Sequence, residues 1–126
     1  MRQESISFEL LKGKVLTEVT GSAGDDEMIF TTSDGERYQL FHEQDCCESV
    51  GIEDIIGDLQ DLIGEPILLA EEAVNPSDSP VDDDPWDSTT WTFYKLATRK
   101  GYVDIRWLGT SNGYYSESVD FCKVCL

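Results

Sequence analysis

One histidine and four cysteines form two groups whose spacing could bind zinc. His42 is followed by Cys46 and Cys47, and Cys122 and Cys125 form a Cys-x2-Cys pair near the C-terminus. That pair is a common zinc-ligand spacing, and the two groups could supply four ligands if the last strand lies beside residue 42. However, successive side chains point apart in an extended chain, so adjacent cysteines rarely bind one ion together. We therefore predict reduced thiols, with no metal and no other cofactor.

The same histidine and either adjacent cysteine could form a thiol nucleophile with its base. A reactive thiolate needs electropositive neighbours, whereas this segment carries three acids: Glu43, Asp45 and Glu48. The chain has no phosphate-binding loop and no His-Glu metal motif. We therefore predict that the protein is not an enzyme.

Three aspartates are spaced at i, i+4 and i+7, namely Asp54, Asp58 and Asp61. On a helix they would share one face, with neighbouring carboxylates about 6 Å apart, close to the phosphate spacing of a nucleic-acid strand. We predict that this face, with Glu65, imitates nucleic-acid charge and occupies a basic groove of a partner protein. Acids of a following loop add to the same field: Asp82, Asp83, Asp84 and Asp87. The alternative interpretation is a solvated polar face.

The distribution of charge favours the first interpretation. No Lys or Arg occurs between Arg37 and Lys95, and those intervening residues hold fifteen of the 26 acids of a chain whose net charge is −17. A contiguous block of one sign attracts basic surfaces and repels nucleic acid and anionic membranes. We therefore expect a basic, nucleic-acid-binding protein as the partner, with no direct nucleic-acid contact and no membrane contact.

The C-terminal third combines aromatic and basic side chains. Tyr94, Tyr102 and Arg106 could form a pocket that holds a nucleotide, which would make the protein a small-molecule binder. The alternative is an ordinary sheet with cross-strand aromatic pairs. The period-2 pattern predicts that Tyr102, Asp104 and Arg106 share one strand face. The opposite face should then carry Val103, Ile105 and Trp107.

Apolar spacing predicts one main helix over residues 52–63. Its isoleucines and leucines fall on one arc at about 100° per residue, with acids opposite. Ser49 is a candidate N-cap, Gly64 suits the C-terminal end, and Pro66 prevents continuation. A short N-terminal helix is predicted over residues 5–12.

The remaining pattern predicts about seven antiparallel strands. Asp34-Gly35 lies between two β-branched and aromatic runs, which is a strong hairpin signal. Residues 75–88 are rich in Pro, Asp and Ser and predict an acidic surface loop. The predicted fold is α+β: one domain over residues 1–126, with the main helix packed on an antiparallel sheet. The strands are predicted over residues 14–20, 27–32, 37–42, 67–74, 89–98, 102–108 and 119–124.

Two sequence blocks have a familiar order and spacing. Residues 42–50 read His-Glu-Gln-Asp-Cys-Cys-Glu-Ser-Val, and residues 91–98 read Trp-Thr-Phe-Tyr-Lys-Leu-Ala-Thr, followed by Ser-Asn-Gly-Tyr-Tyr-Ser-Glu over residues 111–117. Across most of residues 10–121 the chain resembles a family of small uncharacterised proteins (a domain of unknown function) encoded by phages and bacteria. The resemblance implies a compact intracellular protein and brings no catalytic residues. A shared patch is predicted from His42, Glu43, Asp45, Glu48, Tyr114, Tyr115 and Glu117.

These patterns lead to one main functional hypothesis. The protein is predicted to be a small acidic, non-enzymatic interaction protein that acts by charge mimicry, and the family resemblance implies a phage-encoded inhibitor of host defence. We expect it in the cytoplasm, that of the host if phage-encoded, because no apolar run near 20 residues and no secretory signal is present. The alternative is a protein that sequesters a nucleotide signal.

Overall fold

The computed structural model describes residues 6–42, 48–77, 88–111 and 117–124. These residues form eight strands and two short 3₁₀ helices, Phe8–Leu11 and Leu59–Leu62. All strand pairs are antiparallel. The strands are β1 (Leu16–Thr20), β2 (Glu27–Thr32), β3 (Arg37–Phe41), β4 (Ser49–Ile56), β5 (Leu69–Ser77), β6 (Ser88–Thr98), β7 (Gly101–Ser111) and β8 (Asp120–Val124).

The first sheet has the strand order β1-β2-β3-β8. Its β2–β3 connection is the predicted Asp-Gly hairpin, and Gly35 has a φ of 86°, a left-handed conformation that glycine adopts without strain. The hairpin prediction is therefore confirmed. β8 returns from the end of the chain to pair with β3, which places Asp120 opposite Phe41.

The second sheet has the strand order β4-β7-β6-β5. β6 and β7 form its longest ladder, from Ser88 opposite Ser111 to Thr98 opposite Gly101. β4 pairs with the other side of β7, and β5 pairs with the other side of β6. β5 is therefore an outermost strand of this sheet.

One hydrophobic core lies between the two sheets. Alternate residues of both sheets enter it, including Phe30 and Phe121 from the first sheet and Tyr94 from the second. Phe8, in the first 3₁₀ helix, contacts all three rings, with centroid distances of 4.6 to 6.2 Å. The arrangement is a two-sheet β-sandwich in which this short helix closes part of the core.

The predicted α+β class is wrong, because the main helix over residues 52–63 does not exist. Residues 49–56 form β4, and the 3₁₀ helix Leu59–Leu62 follows. Val50 and Ile52 face the core with a period of two, and a bulge between Ile52 and Asp54 then returns Ile55 toward it. The isoleucine spacing thus fits a bulged strand as well as a helix, and β-branched residues favour the strand.

Gly57 separates β4 from the second 3₁₀ helix. Its φ is 106°, and a Cβ at this position would overlap the carbonyl oxygen of Tyr102. A helix through residues 52–63 is incompatible with this backbone conformation.

Two smaller predictions also change. The N-terminal helix predicted over residues 5–12 is the four-residue 3₁₀ helix Phe8–Leu11, for which Ser7 is the N-cap. β5 runs to Ser77 and β6 begins at Ser88, so residues 75–77 and 88 of the predicted loop are strand, while residues 78–87 lie outside the described part. Across the described residues, no helix has the length and apolar character needed to cross a membrane.

Candidate functional site

One end of the sandwich gathers one end of each of the eight described strands. β1, β3, β5 and β7 finish there, and β2, β4, β6 and β8 begin there. The described residues next to segments 43–47, 78–87 and 112–116 therefore all lie at this end. We call it the polar end, because five polar side chains lie within it: His42, Glu48, Thr90, Ser111 and Glu117.

His42 links two parts of the polar end. Its Nδ1 lies 2.6 Å from the carbonyl oxygen of Ser118, so Nδ1 must carry a hydrogen and donate it. Its Nε2 lies 2.7 Å from Oε2 of Glu48, and the two side chains are only 3% and 0% exposed. This contact shares one hydrogen between imidazole and carboxyl. The pair fixes the end of β3 against the start of β4.

Glu117 holds the start of β6 and the end of β7. Its Oε1 accepts a hydrogen bond of 2.7 Å from the Thr90 hydroxyl, and its Oε2 accepts one from the Ser111 hydroxyl. Glu117 crosses directly over Gly109, where an added Cβ would lie 2.8 Å from Cβ and the carbonyl oxygen of Glu117. Gly109 therefore provides the space that lets this carboxylate enter the interior.

The chemistry of the polar end is that of a satisfied buried network. Glu48 and Glu117 are buried, and each makes hydrogen bonds that compensate for the loss of water. These contacts position the chain and leave both carboxylates enclosed. The described side chains of the polar end therefore hold strand ends of the two sheets together.

The outer side of the second sheet carries aromatic side chains that no second layer of described residues covers. Trp91 and Phe93 are half-buried and stack with their ring centroids 6.4 Å apart and their planes at 16°. Leu108 lies opposite Trp91 on β7, and Arg106 lies opposite Phe93. We call Trp91, Phe93, Arg106 and Leu108 the outer aromatic face.

Arg106 is held in place at the centre of this face. Its guanidinium carbon lies 5.4 Å from the centroid of the Trp91 ring, within cation–π range. Its Nε lies 2.5 Å from Oε2 of Glu53, and its Nη2 lies 3.7 Å from Oδ2 of Asp54. The ring and the two carboxylates together reduce the freedom of a long side chain.

Acidic residues border the outer aromatic face on two sides. Glu53 and Asp54 lie on the β4 side, and Asp104 and Glu71 occupy the next row of the sheet. Lys95 lies between the last two and is, with Arg106, a basic side chain of this surface. The outcome is an apolar centre with a predominantly negative rim.

The acids that were predicted to line a helix are dispersed. Asp54 faces Arg106, Asp58 is the N-cap of the second 3₁₀ helix, and its Oδ1 accepts from the Gln60 amide at 2.9 Å. Asp61 lies against Gly101, and Glu65 forms a 3.0 Å ion pair with Arg99. These four acids share no helix face. Residues Asp82, Asp83, Asp84 and Asp87 lie outside the described residues.

The three residues of the predicted nucleotide pocket lie apart. Tyr94 is buried in the core, where burial, followed by a 2.7 Å bond to Glu72, raises the pKa of its hydroxyl. Tyr102 is 75% exposed, and Arg106 lies on the outer aromatic face. The predicted alternation of residues 102–107 is confirmed, since Val103, Ile105 and Trp107 are buried.

The zinc hypothesis required the last strand to lie beside residue 42, and β8 does pair with β3. Cys122 is buried on β8 opposite Gln39. Within the described ranges no three His, Cys, Asp or Glu side chains are grouped to hold a metal ion. Cys46, Cys47 and Cys125 lie outside those ranges.

The predicted shared patch is partly described. His42 and Glu48 are in contact, and Glu117 is next to Ser118, whose carbonyl His42 binds. All three side chains are enclosed in the polar end and do not form an open patch. Glu43, Asp45, Tyr114 and Tyr115 lie outside the described residues.

Sequence reasoning missed the outer aromatic face. The available signal was the alternation of Trp91 and Phe93 with Thr92 and Tyr94 in a strand that carries large side chains on both faces. A strand of a half-exposed sheet normally has polar residues on its outer side. Large apolar residues on both sides therefore indicate a second contact surface.

Fold and surface together define a class: a small, acidic, two-sheet antiparallel β-sandwich with an aromatic outer face. Residues 9–121 match the family described as domain of unknown function (DUF7448). The match spans most of the chain, so the protein belongs to this family, and the predicted membership in a family of unknown function is confirmed. No curated protein and no solved structure matches the chain.

Proposed function

We propose that this protein is a non-enzymatic binding protein that docks onto a basic surface of another protein through its outer aromatic face. The observation that carries the proposal is the stacked Trp91–Phe93 pair on the uncovered side of the sheet, with Arg106 fixed above Trp91. A few side chains at the centre of an interface usually supply most of the protein–protein binding energy, and tryptophan, other aromatic residues and arginine are common among them.

The acidic rim favours a basic partner. Four acids border the apolar centre on two sides, and the whole chain carries a net charge of −17; the four are Glu53, Asp54, Asp104 and Glu71. Complementary rim charges mainly accelerate association and select the partner, whereas the apolar centre supplies most of the affinity. Binding should therefore weaken with salt without being abolished by it.

A protein partner fits these observations better than a nucleic acid. Aromatic side chains on an open sheet can stack bases, but single-strand binders combine them with a positively charged groove. Here the two bases of the surface, Lys95 and Arg106, are outnumbered by acids, which repel phosphates. The same acids would attract a basic protein groove that normally holds nucleic acid. Inhibition of a host nucleic-acid-binding protein, in a phage setting, is the biological role we propose.

The test is capture of a basic partner with matched variants. The tagged protein is incubated with bacterial lysate, and captured proteins are identified at low and high salt. Trp91→Ala should lose the partner by about tenfold or more, because it removes a central ring. Glu53→Gln with Asp54→Asn should slow association and reduce its salt dependence.

Two controls make the result specific. Glu18→Gln, on the exposed surface of β1 in the other sheet, should leave capture unchanged. Duplex DNA added to the lysate should compete with the protein for the partner if the contacted surface is a nucleic-acid groove. If Trp91→Ala captures the same partner at the same level as the wild type, the outer aromatic face is not the binding surface.

A second candidate function has one specific observation in its favour. A shallow groove of about 500 Å³ lies beside the β6–β7 turn, lined by Leu68, Arg99, Lys100 and the exposed Tyr102. A ring and two cations could receive a small aromatic anion such as a nucleotide, which is the alternative that the sequence suggested. A nucleotide panel measured by thermal shift, with Tyr102→Ala as the control variant, would show stabilisation of the wild type alone.

A further inference from the structure

The outer edge of β5 is a row of main-chain groups without a described partner. β5 is the outermost strand next to β6, and its five consecutive residues from Glu71 to Asn75 are all exposed. Val74, a large apolar residue, is 56% exposed. Among the described residues, main-chain hydrogen bonds outside the β5–β6 ladder occur at Ile67 and Leu68, just before β5 begins. None of them involves a residue of β5 itself. The first 3₁₀ helix, Phe8–Leu11, also packs against β5, yet residues 71–75 remain exposed. An exposed edge of this length is a template for another strand.

Pro76 shows which main-chain groups face outward. It pairs with Thr90 in the antiparallel ladder although proline has no N–H to donate. Such a pair must be one in which the two residues exchange no hydrogen bonds, and these alternate with hydrogen-bonded pairs along the ladder. Residues with the same alternation, Glu72 and Val74, therefore direct their N–H and C=O groups away from β6. Glu71 and Ala73 direct theirs toward β6.

The other sheet edges are each covered at one point at least by main-chain bonds. Strand edges are aggregation hazards, and proteins normally cover them or place charged side chains or proline on them. β5 carries two glutamates and Pro76, so its edge is protected by negative charge, which a basic strand would neutralise. The covering bonds on the other edges are Ile6 N to Phe121 O on β8, Ile52 N to Asp25 O on β4, and Gly64 N to Leu16 O on β1.

We propose that the free edge of β5 receives an extended, Lys- or Arg-bearing segment of a partner protein as a fifth strand of the second sheet. The main-chain groups of Glu72 and Val74 would form the hydrogen bonds of the new ladder. Glu71 and Glu72 lie on opposite faces of β5, so each would attract a base on its own side of the added strand. Pro76 ends the usable edge, because it cannot donate a further bond.

A second copy of this chain fits the same edge poorly. Each copy has a net charge of −17, and pairing two β5 strands would bring their four glutamates close together. Like charges on neighbouring strands destabilise pairing. The acidic edge therefore opposes self-association while it selects a basic strand.

This inference rests on the proposed function only for the basic character of the partner. It involves main-chain atoms at the sheet edge, whereas the outer aromatic face contributes side chains from β6 and β7. The two surfaces can therefore be tested with separate variants. They are adjacent, since Ala73 of β5 lies opposite Phe93.

Hydrogen exchange measured by NMR tests the edge directly. In the free protein the amides of Glu72 and Val74 should exchange fast, while those of Glu71 and Ala73 should be protected by β6. The probe is a capped peptide of about ten residues that alternates lysine with valine and threonine, a composition that favours strands. Adding it should slow exchange at Glu72 and Val74 by about tenfold or more. A peptide with glutamate in place of lysine is the control.

Three outcomes would overturn the proposal. They are protection of Glu72 and Val74 in the free protein, no slowing with the lysine peptide, and equal slowing with the glutamate peptide. Concentration-dependent protection in the free protein, with a dimer seen by sedimentation, would show that a second copy occupies the edge.

A proline substitution separates main-chain from side-chain binding. Val74→Pro removes the outward N–H and leaves the ladder to β6 intact, as Pro76 already does in the same strand. It should weaken peptide binding by about tenfold, because a main-chain bond is lost and a ring blocks the edge. Val74→Thr retains the N–H and should bind like the wild type. Equal binding by Val74→Pro would overturn the proposal.

A modified peptide removes the risk that Val74→Pro fails to fold. N-methylation of alternate amides of the lysine peptide should abolish protection in the wild-type protein if strand addition occurs, and unchanged protection would contradict it. Trp91→Ala should leave the peptide effect at Val74 intact. Lysate capture thus tests the outer aromatic face, whereas amide protection tests the β5 edge, and either proposal can fail without the other.

Discussion

The polar end and the outer aromatic face use charged side chains in opposite ways. At the polar end, Glu48 and Glu117 are buried, and their oxygens form hydrogen bonds with an imidazole and with hydroxyl groups. On the outer face, Glu53 and Arg106 are each about one-third exposed and lie beside half-buried rings. The first arrangement is closed to solvent, whereas the second remains accessible.

Because of this difference, we expect substitutions at the polar end to affect stability and substitutions on the outer aromatic face to affect binding. A buried carboxylate is costly unless it keeps its partners, so its contacts are expected to be essential to folding. An exposed ion pair contributes little to folding, because water screens it. Substitutions at the two regions should therefore give opposite patterns, large stability losses at one and large binding losses at the other.

The largest effect is expected from removing the histidine at the polar end. His42→Ala leaves the Glu48 carboxyl buried without its imidazole and should destabilise the protein by about 3 to 5 kcal/mol. Urea denaturation at neutral pH measures the loss. Because both side chains are almost fully buried, the variant should be among the least stable single substitutions, and a loss below about 1 kcal/mol would contradict this assignment.

A double substitution gives the control for that experiment. His42→Leu combined with Glu48→Met replaces both partners by apolar groups, and the double variant should be more stable than His42→Leu alone. A double variant as unstable as the sum of the two single variants would mean that the pair is not a coupled buried unit.

The next largest effect concerns Glu117. Glu117→Ala leaves the hydroxyls of Thr90 and Ser111 without their acceptor and should cost about 2 to 3 kcal/mol. Glu117→Gln should cost less, because a hydroxyl can both donate and accept and so can adapt to an amide. Thermal unfolding of the two variants side by side checks the order, and equal losses would argue against the hydrogen bonds as the cause.

Local and period-2 features of the fold were predictable from the sequence. The β2–β3 hairpin depends on Asp34-Gly35 and its immediate neighbours, so the turn chemistry alone identifies it. The two faces of residues 102–107 follow from strict alternation in one strand. These predictions required no knowledge of distant segments.

The false helix and the missed surface have one physical cause. Ile52, Ile55 and Ile56 suit a helix by spacing, but pairing with β7 and a bulge bury the first two as a strand. Such pairing is non-local and leaves no mark in the segment itself. Likewise, alternation separates Phe93 from Tyr94, yet it does not say which of them faces the second sheet. Because the helix does not exist, Asp54, Asp58 and Asp61 do not share the acidic helix face that was predicted from their spacing.

A third acid, Glu36, is less buried than the glutamates of the polar end and less exposed than Glu53. Its ion pairs predict that the stability of the protein depends on pH. Hydrogen bonds from Lys123 and then Lys14 lower the pKa of Glu36 from its usual 4.5 to about 2. A lowered pKa in the folded state stabilises the protein above the usual value, and the contribution disappears as pH falls toward 2. Glu36→Gln should therefore be less stable than the wild type at neutral pH.

The measurement is urea denaturation of both proteins from pH 7 downward. The stability difference should shrink as pH falls from 4.5 to about 2, the window set by the two pKa values. Glu18→Gln, an exposed acid of β1, provides the matched control. A difference that is constant with pH would show that Glu36 acts through its shape and not through its charge.

The smallest stability effect is expected on the outer aromatic face. Glu53→Gln removes the negative charge that lies 2.5 Å from Arg106, and because both side chains are partly exposed the loss of stability should be below about 1 kcal/mol. The same substitution should reduce the rate of association with a basic partner, since the rim charge guides the encounter. A stability loss as large as that of His42→Ala would erase the contrast between the two regions. The outer face would then be part of the folding core and not a docking surface.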